Sequence, residues 1–151
     1  MVIAAKKALA AGTRRILIVD FDLHHGQGTQ RAFYDDPRVL YMSVHRYEEG
    51  RFWPHLRESN FDWVGEGAGL GFNVNLPLNV VGCGPTEYLA VFNRLFLPIA
   101  TEYRPDLVIV SAGTFLCSSL PNVCSKIKCS TGNNNLFSAA LLWIRIRVGP
   151  H

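Results

Sequence analysis

The chain has 151 residues, enough for one domain, and 48% hydrophobic against 18% charged residues supply a sizeable core. A formal net charge of +3, with basic pairs only at Lys6-Lys7 and Arg14-Arg15, argues against a nucleic-acid surface. No apolar run reaches the roughly 18 residues of a membrane span, and Met1 to Lys7 lacks the basic-then-apolar order of a secretory signal, so a soluble intracellular protein is expected.

Val2 to Ala11 is rich in Ala and Lys and predicts a helix stopped by Gly12. Arg15 to Asp22, with the branched run Ile16-Leu17-Ile18-Val19, predicts a buried strand. Gly28 to Tyr34 predicts a short helix ended near Asp35-Asp36-Pro37, and Val39 to Val44 a second strand. A long irregular loop follows from His45 to Leu70, carrying Phe52, Trp53, Phe61 and Trp63. Gly71 to Leu76 alternates apolar and polar residues and predicts a strand. Pro85 to Tyr103 has the most regular helical pattern in the chain, with Tyr88, Val91, Phe92, Leu95, Phe96 and Ile99 as an apolar stripe and Pro98 predicting a kink. Asp106 to Ser111 predicts a last buried strand. Strands separated by helices predict an α/β fold, a mostly parallel sheet with helices on both faces and ligands at the carboxyl ends of the strands.

Composition changes abruptly after Gly113. All 12 acidic residues precede it, and the remainder, with Cys117, Cys124 and Cys129, shows no clear period and no paired C-x-x-C spacing. Residues 114–151 are therefore expected to be a poorly ordered tail, unrelated to the domain of residues 1–113.

Chemistry concentrates in Asp20-Phe21-Asp22-Leu23-His24-His25-Gly26. Strand alternation would point Asp20, Asp22 and His24 to one face, and carboxylate with imidazole is a donor set for a zinc-like ion. Asp22 and His24 are the expected direct ligands, with Asp20 as deeper support. The competing reading is an ordinary Asp cap and turn. Gly26 and Gly28 are expected to let the backbone reverse beside the site.

Ile16 to Gln30 closely resembles the central motif of the zinc-dependent histone deacetylases, and Asp35 to Tyr41, Ser43 to Tyr47, Gly50 to Ser59, Gly71 to Pro77 and Pro105 to Gly113 continue the match. The loop wording Arg51-Phe52-Trp53-Pro54-His55-Leu56 is most like class IIb. The resemblance covers residues 1–113 and implies part of an arginase/deacetylase-like fold, opened at both ends. It implies that Asp22 and His24 are two of three zinc ligands. It also implies that Asp20 orients a catalytic histidine and, with Ser43 and the backbone around Val44, binds a structural potassium ion. Trp53, with Phe52 beside it, matches the aromatic wall of the channel for an acetyl-lysine side chain, whose methylene stem suits an apolar lining. Phe61 and Trp63 match no such role, and loop packing is expected of them; His25 and His45 fit the pattern but are assigned to no metal.

The implied reaction is hydrolysis of an acetyl-lysine amide in an acetylated protein or peptide, with no nucleic-acid or membrane partner, in the cytoplasm with access to the nucleus. An acetylpolyamine substrate on the same fold, or a non-catalytic interaction chain, are the alternatives. The family's third zinc ligand is an aspartate two residues after Ser-Ala-Gly; here that place is Phe115. No His precedes His24 and no Tyr follows Tyr103, so the family's proton-transfer histidines and oxyanion tyrosine have no match, and this chain alone is expected to be inactive.

Overall fold

The computed structural model describes residues 1–112 and 140–144, the latter as backbone. Helix α1 (Val2–Ala10) leads into strand β1 (Ile16–Asp20), α2 (Gln27–Ala32) and β2 (Val39–Arg46). A loop with three short 3-10 turns precedes β3 (Asn73–Leu78), and α3 (Pro85–Val91), α4 (Leu97–Tyr103) and β4 (Leu107–Ala112) follow. A further strand, β5 (Ala140–Ile144), lies in a stretch where the sequence shows no period.

The strands form one sheet in the order β3-β2-β1-β4-β5. β1 pairs in parallel with β2 and β4, and β2 with β3, while β5 runs antiparallel to β4. This is the mostly parallel α/β sheet the sequence predicts. The rest of the tail lies outside the described residues.

Alternation along β1 divides the core. Ile16 and Ile18 pack with Val39, Tyr41, Ile109 and Phe33 beneath α1, around the fully buried Ala5. Leu17 and Val19 pack with Leu40, Met42, Val44, Val108 and Val110 against Tyr88 and Phe96 of the α3–α4 segment. Helices thus cover both faces, which is why all five residues of β1 are buried and why the four before Asp20 are continuously apolar rather than alternating.

The apolar stripe of the long helix lies where its period predicts: Tyr88 and Phe96 are buried, and Val91, Phe92, Leu95 and Ile99 flank them. Pro98 acts as a local adjustment rather than a break. A π turn spans Phe92–Phe96 and Pro98 enters in the first turn of α4, so the missing N–H and the ring are absorbed where the helical hydrogen-bond ladder is already reset.

Two expectations are corrected. β1 ends at Asp20, not Asp22, so strand alternation does not place Asp22 and His24. Gly28 lies within α2, where an added Cβ would meet nothing within 4 Å, so only Gly26 is a steric requirement.

Candidate metal centre and its aromatic rim

At the carboxyl end of β1 the backbone is folded by its own aspartates. Asp20 Oδ1 accepts the Asp22 amide at 3.1 Å, and Asp22 Oδ1 accepts the His24 amide at 2.8 Å. Short carboxylate side chains favour such turns over continued strand. Two consecutive turns of this kind, rather than pleat alternation, bring Asp22 and His24 together at the mouth of the sheet.

Asp22 Oδ1 and His24 Nδ1 lie 3.2 Å apart, with side chains 30% and 34% exposed. The two meet each other within hydrogen-bond reach, and a carboxylate oxygen beside an imidazole nitrogen is a donor pair of the kind that would hold a zinc-like ion. Among the described residues no group of three or more His, Cys, Asp or Glu side chains is arranged to hold a metal. Phe115 lies outside those residues.

Asp20 sits deeper, 4% exposed. Desolvation pushes its carboxyl up to about 6, opposed by hydrogen bonds from the Asp22 amide, the Tyr41 hydroxyl and Ser111. The Tyr41 hydroxyl donates to Asp20 Oδ2 at 3.1 Å. Gly26 closes over this pair: a Cβ there would stand 2.5 Å from Asp20 Oδ2 and 2.6 Å from Tyr41 Oη. Ser43 is the register partner of Asp20 across β1 and β2 and is fully buried. The two residues expected to share a potassium ion are thus brought to one face of the sheet.

Beneath the rim runs a buried polar network that the sequence reading did not find. His45 Nε2 meets the Ser59 carbonyl at 2.8 Å, and because a carbonyl only accepts, that nitrogen carries the proton. Desolvation lowers His45 to about 3, so the ring is neutral and its Nδ1 accepts from Ser43 Oγ at 2.8 Å. Gln30 donates through Nε2 to the Glu58 carbonyl at 2.9 Å, which turns its Oε1 toward His25 Nε2 at 3.0 Å. Burial also lowers the His25 pKa. Neutral His25 therefore accepts at Nδ1 from Ser59 Oγ, at 2.8 Å. Asn73 and Asn75 donate to the same Gln30 oxygen and to the Trp63 and Glu58 carbonyls. Part of the signal was available: Ser43 in a predicted buried strand, and Asn73 and Asn75 at alternating positions of another, are polar groups that need partners, whereas His45 falls in the predicted loop and the structure extends β2 through it.

This network seats the loop that carries the aromatic rim. Phe52 stacks on the His24 imidazole, with centroids 5.3 Å apart and planes 15° apart, and the Arg46 guanidinium carbon lies 4.3 Å from the centre of the Phe52 ring. Trp53 is 60% exposed and meets His55 edge-on. Trp63 packs near Tyr34, whereas Phe61 is 67% exposed, contrary to the packing expected of it. Cys83 is half-buried, and the other cysteines lie outside the described residues.

Residues 1–117 match the model of the histone deacetylase domain, and the chain belongs to the histone deacetylase family. It is 58% identical over 110 residues to histone deacetylase 6 of Caenorhabditis elegans, covering 73% of this chain and 12% of that protein. It is 64% identical over 102 residues to polyamine deacetylase HDAC10 of Homo sapiens, covering 68% and 15%. The solved structure of the histone deacetylase Clr3 superposes with a TM-score of 0.70 at 49% identity, over 74% of this chain and 19% of that one. The HDA15 HD domain superposes with a TM-score of 0.71 at 46% identity, over 74% and 31%. The chain spans less than a third of each of these proteins, and its fold is the corresponding part of the arginase/deacetylase fold.

Proposed function

We propose that this chain supplies part of the catalytic domain of a class IIb zinc-dependent protein-lysine deacetylase, with Asp22 and His24 as zinc ligands. The observation that carries the reading is the 3.2 Å approach of Asp22 Oδ1 to His24 Nδ1 at the carboxyl mouth of a buried parallel strand. Zinc bound there would act as a Lewis acid toward an amide carbonyl and lower the pKa of a bound water. Asp22 and His24 hold the donors on turns rather than on a mobile loop. Asp20, fixed by Tyr41, the Asp22 amide and Ser111, presents the buried carboxyl that in the family orients a catalytic histidine, for which this chain has no match. Ser43, opposite Asp20 in register, offers an oxygen to a potassium ion. Phe52 and Trp53 line the approach of an acyl-lysine stem and keep water from it.

With Phe115 at the place of the family's aspartate, the described residues offer Asp22 and His24 to a metal that takes three protein ligands in catalytic sites. On this reading the chain is inactive on its own. Equilibrium dialysis against zinc and a deacetylation assay on an acetyl-lysine peptide test this. Weak zinc binding, no turnover, and tighter binding in Phe115→Asp are the expected results; stoichiometric zinc with turnover in the unaltered chain refutes the inactivity. The 64% identity to a polyamine deacetylase favours a second reading, in which the parent enzyme takes acetylated polyamines. The same assay with an acetylpolyamine, run on Phe115→Asp, separates the two.

A further inference from the structure

Phe52 bears on the candidate centre in a way that its role as channel lining does not require. One of its ring neighbours is the imidazole of His24, stacked at 5.3 Å with its plane nearly parallel; another is the guanidinium of Arg46, 4.3 Å from the ring centre. The loop between them is built for this placement. Glu48, Glu49 and Gly50 all have positive φ (51°, 56° and 86°), a region that side-chain-bearing residues adopt only when their surroundings impose it. The surroundings are visible. Glu48 pairs with Arg46 through its carboxylate, and its carbonyl accepts from Arg51 Nε at 3.0 Å. The Glu49 amide donates to Asn79 Oδ1 at 2.9 Å, and the Phe52 amide donates to the Tyr47 carbonyl at 3.1 Å. The Arg46 amide in turn donates to the Leu23 carbonyl at 2.9 Å, inside the turn that carries Asp22 and His24.

We infer that Arg46 is a positioning residue for His24: its cationic head, anchored by Glu48, holds the Phe52 ring, and the ring fixes the plane of the imidazole whose Nδ1 faces Asp22. A cation over an aromatic face is attracted by the ring quadrupole, and that attraction has an orientation which plain apolar packing lacks. Arg46 therefore restricts His24 to the orientation in which its Nδ1 meets Asp22 Oδ1 at 3.2 Å. The consequence for metal binding rests on the zinc reading of Asp22 and His24; the stacking itself does not.

The test uses the full chain labelled at its histidine rings, with the His24 signals assigned by their loss in His24→Asn. In the unaltered protein the His24 ring protons carry a ring-current displacement from Phe52. It is lost in Arg46→Gln and kept in Arg46→Lys, while the signals of buried His25 and His45 stay in place and report the fold. An unchanged His24 displacement in Arg46→Gln overturns the inference, as does a loss in Arg46→Lys equal to that in Arg46→Gln. Should Arg46→Gln lose the fold, Glu48→Gln decides: it must release His24, and an unmoved His24 signal overturns the inference. A Co2+ titration supplies the second readout, in which Arg46→Gln weakens binding by about tenfold, the lower range for groups that orient a metal ligand, and Arg46→Lys by less. If the unaltered chain binds no Co2+, the metal reading of Asp22 and His24 falls, and the ring shifts still decide the role of Arg46.

Discussion

His25 and His45, on different segments and with ring centroids 4.6 Å apart, grip one loop residue from two sides. His45 holds the Ser59 carbonyl and His25 holds its hydroxyl. Ser59→Ala removes the only proton that this network offers to His25 Nδ1 and leaves a buried acceptor unpaired. A loss of about 1–3 kcal/mol is expected in urea unfolding. A cost within error of zero would show that the loop is held by its backbone contacts alone.

Gly26 and Gly28 differ by two positions and should differ sharply on substitution. Gly26→Ala forces Asp20 or Tyr41 out of a pair that leaves no room for a Cβ, at about 1–3 kcal/mol. Gly28→Ala, inside α2 with open space around it, should stabilise by about 0.4–1 kcal/mol. Thermal melts of the two variants check the contrast, and equal effects would contradict it.

Phe96 is 2% exposed between the sheet and the α3–α4 segment, whereas Leu89 on the same segment is 55% exposed. Phe96→Ala should cost about 3–5 kcal/mol by leaving a cavity. Leu89→Ala should stay within about 0.5 kcal/mol. Denaturant midpoints at constant slope give both values.

Asp36 Oδ1 and Oδ2 accept from Arg38 Nε and Nη2 at 2.9 and 2.7 Å, and Oδ1 also accepts the Arg38 amide at 3.0 Å, closing the turn that feeds β2. The Arg38 side chain holds the Asp36 pKa below the usual carboxylate value. The unfolded chain therefore takes up this proton first as pH falls. The stabilisation is complete above about pH 4 to 5 and disappears as pH drops from about 3.9, the unfolded value, through the lower folded value. Asp36→Asn should cost about 0.5–1 kcal/mol at pH 7 and progressively less as pH falls below about 3.9. A cost that does not fall with pH would remove the ion pair from the account.

Replacing Asp22 or His24 by Ala should weaken zinc binding by more than about tenfold, since even groups that only orient ligands cost about 10–100-fold. Dialysis at fixed pH measures it. Unchanged binding in either variant would place the metal elsewhere.

The parts of the fold legible in the sequence were those governed by one strong local rule. Ile16 to Val19 and Val108 to Val110 are continuous branched runs because both faces of the sheet are covered, and the stripe from Tyr88 to Ile99 follows the helical period. The ends of elements were less legible. The strand pattern runs past Asp20, but its carboxylate captures the Asp22 amide, and a side chain competing for backbone hydrogen bonds leaves no trace in hydrophobic period. The polar network was hidden for a different reason: Gln30, Ser59 and Asn75 lie far apart in sequence, and each alone looks like a surface residue. Arg46 likewise falls in the stretch whose pattern predicts loop, yet it ends β2 and lies against the Phe52 ring.

Along the line from Ser43 through His45, Ser59, His25 and Gln30 to the Glu58 carbonyl, every donor points the same way. Such a line has a polarity as well as a shape. Ser59 answers it because one residue offers both a carbonyl to receive and a hydroxyl to give. A loop slipped by one residue would present Glu58 or Asn60 instead, and the proton order of the two imidazoles would no longer close. The aromatic rim is thus indexed to the sheet by the direction of its protons, so that a wrong register is rejected even where its bulk would fit.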